Sequence, residues 1–338
     1  MRIAVAGLGH VGAAAVRLLQ ENRDILAARA GCDLDIVAVA ARDKAKPRAC
    51  DLSGIEWINA MSDMALRDDV DLVVEAVGGA SGAAYDLVAA ALRRGKHVVT
   101  ANKALIAARG VELATLAERS GAQLSFEAAV CGAVPVLKML REGLAANRIT
   151  AVRGILNGTC NYILTRMENE GADFADALAD AQRLGYAESD PSDDIDGIDT
   201  ANKLAILTAV AFGRAPDLGS IFVEGIRAVT LQDLRDAAAK GGRIKLLGIA
   251  ECVTRDDGTQ NVIQRVQPVF VPISEPIAAV DGVFNAVEIT GDFSGQTLIQ
   301  GRGAGEPTAS ALVADIVDIA RGNRSYAFGV PAQSLDET

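Results

Sequence analysis

The chain has 338 residues and a formal net charge of −11, so it is a poor candidate for binding nucleic acid or an anionic membrane. Half of its residues are hydrophobic but only 4% are aromatic, a balance that favours helices packed closely on a sheet. The length suits two domains. No apolar run approaches the roughly 20 residues of a membrane span.

The cysteines and the first residues indicate the compartment. The five cysteines are scattered and include no Cys-x-x-Cys pair, which argues against structural zinc and a disulfide framework. The chain enters a predicted strand at Ile3, which leaves no room for a signal peptide. We therefore expect a soluble, cytoplasmic protein.

Short apolar runs alternate with helical patterns in the first part of the chain, which predicts a parallel sheet with right-handed crossovers. The predicted strands are residues 3–6, 36–40, 72–77, 97–100 and 123–127. The predicted helices between them are residues 13–29 and 85–94.

The pattern changes after about residue 135 and indicates a second, α+β domain. Its predicted strands are residues 149–156, 243–252 and 262–271. One helix is predicted to begin at residues 157–159, and two more are predicted over residues 173–184 and 198–212. A last helix is predicted over 309–321. We expect a first domain of residues 1–135, completed by residues 304–325, and a second domain of residues 136–303. Residues 326–338 would form a C-terminal tail, which we expect to be surface peptide from about residue 329.

The segment Gly7-Leu8-Gly9-His10-Val11-Gly12 fits the pattern G-x-G-x-x-G directly after a predicted strand and at the start of a predicted helix. In this context the glycines allow a tight turn, close approach of a pyrophosphate and close packing of helix on strand. The sequence thus predicts an α/β protein with a Rossmann-type, dinucleotide-binding domain.

The end of the second predicted strand bears on the choice of nucleotide. NAD enzymes usually carry Asp or Glu there, but here the strand ends Val39-Ala40-Ala41 and Arg42 follows. Arg42 could pair with a 2′-phosphate, which favours NADP. Asp43, the only nearby acid, leaves NAD open, and Arg42 could also be an ordinary solvated residue.

The most specific stretch is residues 185–203, GYAESDPSDDIDGIDTANK, with six carboxylates between positions 188 and 199. Asp199 and Lys203 lie four positions apart on a predicted helix and so share a face. A lysine packed against protein can act as a general base. The alternative for this pair is a surface ion pair. His10 and His97, the only histidines, are poorly placed to take a substrate proton.

This stretch resembles the signature of homoserine dehydrogenases, A-x-x-x-G-Y-x-E-x-D-P-x-x-D-I-x-G-x-D-x-x-x-K, at every fixed position from Ala181 to Lys203. The likeness extends over almost the whole chain. Other segments similar to the family are 100–103 (TANK), 155–159 (ILNGT) with 161–164, and parts of the C-terminal third at 282–292 and 301–311.

The resemblance implies oxidation of L-homoserine to L-aspartate 4-semialdehyde with NAD(P), or the reverse, in threonine and methionine biosynthesis. Lys203 would exchange the proton at the substrate oxygen, with Lys103 as cofactor contact and second catalytic lysine. Glu188 and Asp199 would bind the substrate ammonium, and Asp194 would order the pocket.

The resemblance also implies the cofactor and cation contacts. The cofactor would meet the glycine turn and Arg42, together with Gly78, Gly79, Ala101, Lys103, Gly185 and Gly305. A monovalent cation, sodium or potassium, would be held by Glu127 and by backbone carbonyls of Val130, Gly132 and Val134. A homodimer is implied through residues 255–303 and the chain just after the nucleotide domain.

Two other functions remain open at this stage. One is another two-domain Rossmann dehydrogenase of amino acids, of the aspartate or diaminopimelate type, which would not need the spacing from Glu188 to Lys203. The other is a nucleotide-binding sensor without turnover, against which both lysines and both substrate acids argue. The end of the chain soon after residue 321 gives no reason to expect a threonine-sensing regulatory domain.

Overall fold

The computed structural model of the protein describes residues 1–255, 257–258 and 260–335, and these form two compact units. The first unit comprises residues 1–141, 213–216 and the described residues from 304 onward. The second comprises residues 142–212 and the described residues of 217–303. Within the described residues, no helix combines the length and apolar character needed to cross a membrane.

The elements are numbered in chain order. The strands are β1 Arg2–Ala6, β2 Asp35–Ala40, β3 Glu56–Trp57, β4 Leu72–Glu75, β5 His97–Thr100, β6 Leu124–Ser125, β7 Ile149–Ile155, β8 Phe222–Val223, β9 Gly242–Thr254, β10 Gln260–Pro272, β11 Phe284–Gly291 and β12 Gly295–Arg302. The helices are α1 His10–Glu21, α2 Arg23–Ala30, α3 Ala83–Arg93, α4 Lys103–Ser120, α5 Val136–Lys138, α6 Gly158–Glu170, α7 Phe174–Arg183, α8 Ser192–Ile195, α9 Ile198–Phe212, α10 Leu231–Ala239 and α11 Glu306–Ala320.

The first unit contains a parallel sheet in the order β3-β2-β1-β4-β5-β6. Val5 on β1 is paired with Val39 on β2 and with Val74 on β4, and all three are fully buried. Strand order reverses between β1 and β4, where ligands bind in open α/β sheets, beyond the carboxyl ends of the strands. The predicted Rossmann-type fold is confirmed.

The second unit contains a sheet in the order β12-β11-β7-β9-β10-β8, antiparallel except for the short pair β8 and β10. Its strands share a core with the loop before β11, in which Ile155, Leu247 and Val280 are buried. With α6, α9 and α10 packed along these strands, the unit is α+β, as the change of pattern after residue 135 predicts.

Several element boundaries differ from the sequence prediction. The helix predicted over 13–29 is two helices that meet at Asn22, which ends α1 and precedes α2. The strand predicted over 123–127 contains only Leu124–Ser125, and a 3₁₀ turn begins at Glu127. Helix α4 and the hairpin of β11 and β12 were not predicted at all.

The end of the chain also differs from the prediction of surface peptide. Phe328, just before the predicted surface stretch, is 1% exposed, and its ring centroid lies 5.2 Å from that of Phe126. Ala332 and Leu335 are buried as well, so the prediction is wrong for them. Residues 336–338 lie outside the described part of the chain. The segment is anchored because its apolar side chains complete the core of the first unit.

Candidate active site

The glycine turn joins β1 to α1 at the point where strand order reverses. A Cβ at Gly12 would lie 1.9 Å from the Gly7 carbonyl oxygen, and one at Gly7 would lie 2.3 Å from the Ala76 carbonyl oxygen. Only glycine fits at these two positions, because helix and strand backbones meet there. A Cβ at Gly9 meets nothing within 4 Å, so the turn is open at its middle glycine.

This open turn fits the pyrophosphate of a dinucleotide. Gly9 is the N-cap of α1 and no side chain caps the helix, which leaves backbone amides of its first turn to meet an anion. Of the other motif residues, Leu8 is buried in the core, Val11 is half-buried and His10 is exposed. In the same unit Gly305 is the N-cap of α11 at a φ of +76°, and a Cβ there also meets nothing.

Arg42 is exposed just beyond the carboxyl end of β2. It forms no hydrogen bond or ion pair with the residues that the structure describes. The nearby Asp43 is engaged within its own loop, since its Oδ1 accepts from the Ala45 amide at 2.9 Å. Arg48 closes that loop by donating to the Lys46 carbonyl at 2.7 Å, and its guanidinium lies 5.2 Å from the centre of the Trp57 ring. Arg42 is therefore available to pair with an anionic group, whereas Asp43 is already engaged and is less available to bind the hydroxyls of a ribose.

The carboxyl ends of β4 and β5 bring further predicted residues to the same edge of the first sheet. Gly78 and Gly79 form a turn after β4, both at a φ near +90°, and Ala101 follows β5. Lys103 is the first residue of α4 and is half-buried. Asn102 caps this helix, because its Oδ1 accepts from the Leu105 amide at 3.1 Å.

His97 lies at the opposite, amino end of β5. Its Nδ1 accepts from the Gln123 amide at 3.0 Å, and burial together with Arg324 lowers its pKa. A neutral histidine that accepts a backbone hydrogen bond away from the carboxyl edge is a structural residue. This placement agrees with the expectation that it takes no substrate proton.

The second unit holds Lys203 and Asp199 as a largely buried pair, which contradicts the surface ion pair left open by the sequence. Lys203 Nζ donates to Asp199 Oδ2 at 2.6 Å and to the Leu156 carbonyl at 2.7 Å. The two side chains are 13% and 9% exposed. A charge pair so far from water is maintained only with hydrogen bonds on both partners, and removing one partner costs roughly 3–5 kcal/mol.

Asn157, the N-cap of α6, is a polar partner of both acids that was predicted only to begin a helix. Its Nδ2 donates to Asp194 Oδ1 at 2.7 Å and to Asp199 Oδ2 at 2.8 Å, while its Oδ1 accepts from the Cys160 amide at 2.8 Å. One amide thus brings Asp194 and Asp199 together and fixes them to the start of a helix. The only local signal was the capping pattern Asn-Gly-Thr, which predicts a helix start and not its distant partners.

Glu188 and Gly185 lie in the loop after α7, outside this buried group. Glu188 is exposed, and its carbonyl accepts from Gln182 Nε2 at 3.0 Å. Gly185 takes the left-handed conformation past the helix end, with a φ of +77°, as expected. The Tyr186 carbonyl accepts from Thr159 Oγ1 at 2.7 Å, which ties the loop to α6.

The segment with the predicted cation ligands is part of the first unit. Glu127 is 1% exposed, and its two carboxylate oxygens accept from the Leu137 and Lys138 amides at 2.9 and 2.8 Å. Burial and the neighbouring Asp315 raise the pKa of Glu127 to about 7. Val130, Gly132 and Val134 are buried in the turn that follows. One carboxylate with neutral carbonyls is a donor set that suits a hard monovalent cation.

An open glycine turn at the point where strand order reverses in a parallel sheet defines a dinucleotide-binding protein of the Rossmann class. Two family models match the chain: "Homoserine dehydrogenase, NAD binding domain" over residues 7–127 and "Homoserine dehydrogenase" over residues 135–317. The chain belongs to the homoserine dehydrogenase family. The other amino-acid dehydrogenases and the sensor without turnover are not favoured.

Individual relatives agree with the family. The chain is 45% identical to the homoserine dehydrogenase of Pseudomonas aeruginosa over 322 residues, which are 95% of this chain and 72% of that protein. Among solved structures it is similar to a homoserine dehydrogenase from Thiobacillus denitrificans, with a TM-score of 0.93 and 43% identity over 99% of this chain and 78% of that one. A hyperthermophilic archaeal homoserine dehydrogenase in complex with NADPH has a TM-score of 0.80 and 26% identity, covering 96% of this chain and 99% of that one.

Proposed function

We propose that the protein interconverts L-homoserine and L-aspartate 4-semialdehyde with NADP, and that Lys203 moves the proton of the substrate oxygen. The observation that carries this proposal is the buried contact of Lys203 Nζ with Asp199 Oδ2 and the Leu156 carbonyl. The ammonium of Lys203 paired with Asp199 donates the proton in the reduction of the aldehyde, whereas in the oxidation direction the neutral amine accepts the hydroxyl proton and the ammonium that forms is stabilised by both groups. Bound NADP supplies the hydride acceptor in this direction.

The carboxylates divide into two roles. Asp199 and Asp194 are held by the Asn157 amide, so they orient Lys203 and shape the pocket. Glu188 is exposed in its loop, and we assign it to the ammonium group of the substrate. Asp199 contributes negative charge to the same ammonium. Gly185 would contact the cofactor through its backbone.

In the first unit we assign the cofactor to the glycine turn and the strand ends beside it. The pyrophosphate would lie over Gly9, where the turn is open. Gly78, Gly79, Ala101 and Gly305 would offer backbone contacts, and Lys103 a charged contact near the nicotinamide. Arg42 would pair with the 2′-phosphate, which favours NADP over NAD.

Glu127 and the carbonyls of Val130, Gly132 and Val134 are proposed to hold sodium or potassium. A buried carboxylate beside a second one, Asp315, gains from an added positive charge.

Initial rates of NADPH formation with L-homoserine, measured with NADP or NAD and with or without each cation, test the preference for NADP and the need for a cation. Equal rates with and without sodium or potassium would contradict a role for the cation. A faster rate with NAD than with NADP would contradict the preference for NADP.

Lys203→Ala tests the proton transfer itself. We expect kcat to fall by about 100-fold or more, the usual contribution of a positioned acid or base, while the Kd for NADPH is unchanged. Lys240→Ala, an exposed lysine after α10 in the same unit, is the control and should keep wild-type turnover. Near-normal kcat in Lys203→Ala would exclude this role.

A cytoplasmic homodimer is the proposed state of the protein. Two exposed apolar side chains on one face of the second sheet, Ile263 on β10 and Phe284 on β11, support a surface that a second copy covers. Light scattering on the purified protein measures the mass. A monomer at micromolar concentration would contradict the dimer.

A further inference from the structure

Glu75, the last residue of β4, is a fully buried carboxylate. Its Oε1 accepts from the Val77 and Gly78 amides at 2.8 and 3.0 Å, and its Oε2 accepts from Thr100 Oγ1 at 2.5 Å. Among the described residues, no lysine, arginine or histidine forms an ion pair with it. Burying a carboxylate is costly, and here the cost is offset by donors that belong to the turn after β4 and to the end of β5.

The hydrogen bonds continue from Thr100 to the start of α4. Thr100 Oγ1 accepts from the Asn102 amide at 2.9 Å. Asn102 Nδ2 then donates to the Gly79 carbonyl at 2.8 Å, while its Oδ1 caps α4 through the Leu105 amide. Glu75, Thr100 and Asn102, here called the Glu75 network, therefore join the Gly78–Gly79 turn to the helix that begins at Lys103.

The turn after β4 also contacts the glycine turn after β1. The Ala76 amide donates to the Ala6 carbonyl at 2.8 Å, and the Ala76 carbonyl lies so close to Gly7 that no Cβ fits there. Gly78 and Gly79 both have a positive φ, and a Cβ at Gly78 meets nothing within 4 Å. Two consecutive glycines are flexible by themselves, so their order depends on the hydrogen bonds made to them.

We propose that Glu75 is a positioning residue, whose network holds the Gly78–Gly79 turn and the start of α4 in one arrangement for binding NADP. Glu75 touches no reacting atom and acts through the turn and through Lys103. The inference rests on the proposed function, because that function assigns the cofactor to this edge of the sheet and Lys103 to the reaction. Preorganised backbone binds a ligand more tightly because less freedom is lost on binding.

A pair of substitutions at Thr100 tests the network by removing either the hydroxyl or the methyl group of its side chain. Thr100→Val has the same shape but lacks the hydroxyl, whereas Thr100→Ser keeps it. We expect Thr100→Val to raise the Kd for NADPH by about tenfold, the effect of one lost hydrogen bond to a charged group, and to lower kcat. Thr100→Ser should stay within about twofold of wild type in both. Fluorescence titration with NADPH gives the Kd independently of turnover.

Val98→Ala, on the same strand, is the control for stability, because it loses buried packing and no hydrogen bond. If Thr100→Val lowers Tm as Val98→Ala does but leaves the Kd and kcat at wild-type values, Glu75 is only structural and the inference fails. Should Thr100→Val not fold, Asn102→Ser replaces it, since a serine still caps α4 but no longer donates to Gly79. A wild-type protein that binds NADPH but does not oxidise homoserine would refute the proposed function, while a weaker NADPH complex in Thr100→Val would still support the network.

Discussion

A single side-chain amide, that of Asn157, organises the acidic residues of the second unit. Asp194, which is half-buried, and Asp199, which is buried, are neighbouring like charges that repel each other, and Asn157 Nδ2 donates to both. The same Asp199 oxygen accepts from Lys203, so its position is fixed from two sides. The geometry at Lys203 therefore depends on a residue 46 positions earlier in the chain.

Asn157→Ser separates this role from helix capping. Serine can still accept from the Cys160 amide but cannot donate to two carboxylates. We expect kcat to fall by about tenfold or more, as expected for the loss of hydrogen bonds to charged groups, with the Kd for NADPH unchanged. Asp173→Ala removes the cap of α7 in the same unit, at about 1 kcal/mol, and should leave kcat unchanged. Equal kcat values in the two variants would show that Asn157 is merely a cap.

The site residues predictable from the sequence were those within one continuous pattern. The spacing within residues 185–203 predicts that Asp199 and Lys203 share a helix face, whereas Asp194 was implied only by the family resemblance. Asn157 and Glu75 were not predicted because their hydrogen-bond partners are distant in the sequence. Glu75 meets Thr100 across 25 positions, and a buried acid at a strand end has no distinguishing local pattern.

At the scale of elements, the three glycines of the dinucleotide turn serve different physical ends. Gly7 and Gly12 lie against backbone and determine how closely α1 packs on β1 and β4. Gly9 is at ordinary dihedral angles, with a φ of −75°, and faces open space. Its lack of a side chain matters to a ligand rather than to the fold.

Gly9→Ala and Gly12→Ala should therefore have opposite effects. Gly12→Ala forces a methyl group into the Gly7 carbonyl and should lower Tm strongly or prevent folding. Gly9→Ala should keep a Tm close to wild type and yet raise the Kd for NADPH by about tenfold or more, because its methyl group occupies the space of the pyrophosphate. Calorimetry and NADPH titration measure the two effects. A Gly9→Ala protein with wild-type affinity would show that the pyrophosphate lies elsewhere.

The elements missed by sequence reasoning lack clear periodicity. β11 is buried on both faces over most of its length, so apolar and polar residues do not alternate along it. α4 contains Gly110 in its interior, which lowers its helix propensity. A glycine is needed there because the Phe328 ring packs against it, and a Cβ would lie 2.6 Å from Cζ of Phe328.

Viewed as a whole, the first unit is assembled from three separate stretches of chain. α11 packs against α1, and the segment after it returns along α4, where Glu118 Oε1 accepts from the Ala332 amide at 2.9 Å. Arg141 donates to the Ala327 carbonyl at 3.1 Å. The dinucleotide-binding unit is therefore complete only when the last stretch of the chain has docked.

Phe328→Ala tests this dependence. Phe328 fills the space beside Gly110 and Phe126, and its removal should cost roughly 3–5 kcal/mol of the free energy of unfolding, as for other buried phenylalanines. Because NADPH binds only the folded unit, saturating NADPH should recover part of the lost Tm. Ile25→Ala, at a position 53% exposed on α2 of the same unit, is the control and should change stability by no more than about 0.5 kcal/mol. Similar Tm values for the two variants would mean that the end of the chain contributes nothing to the nucleotide-binding unit.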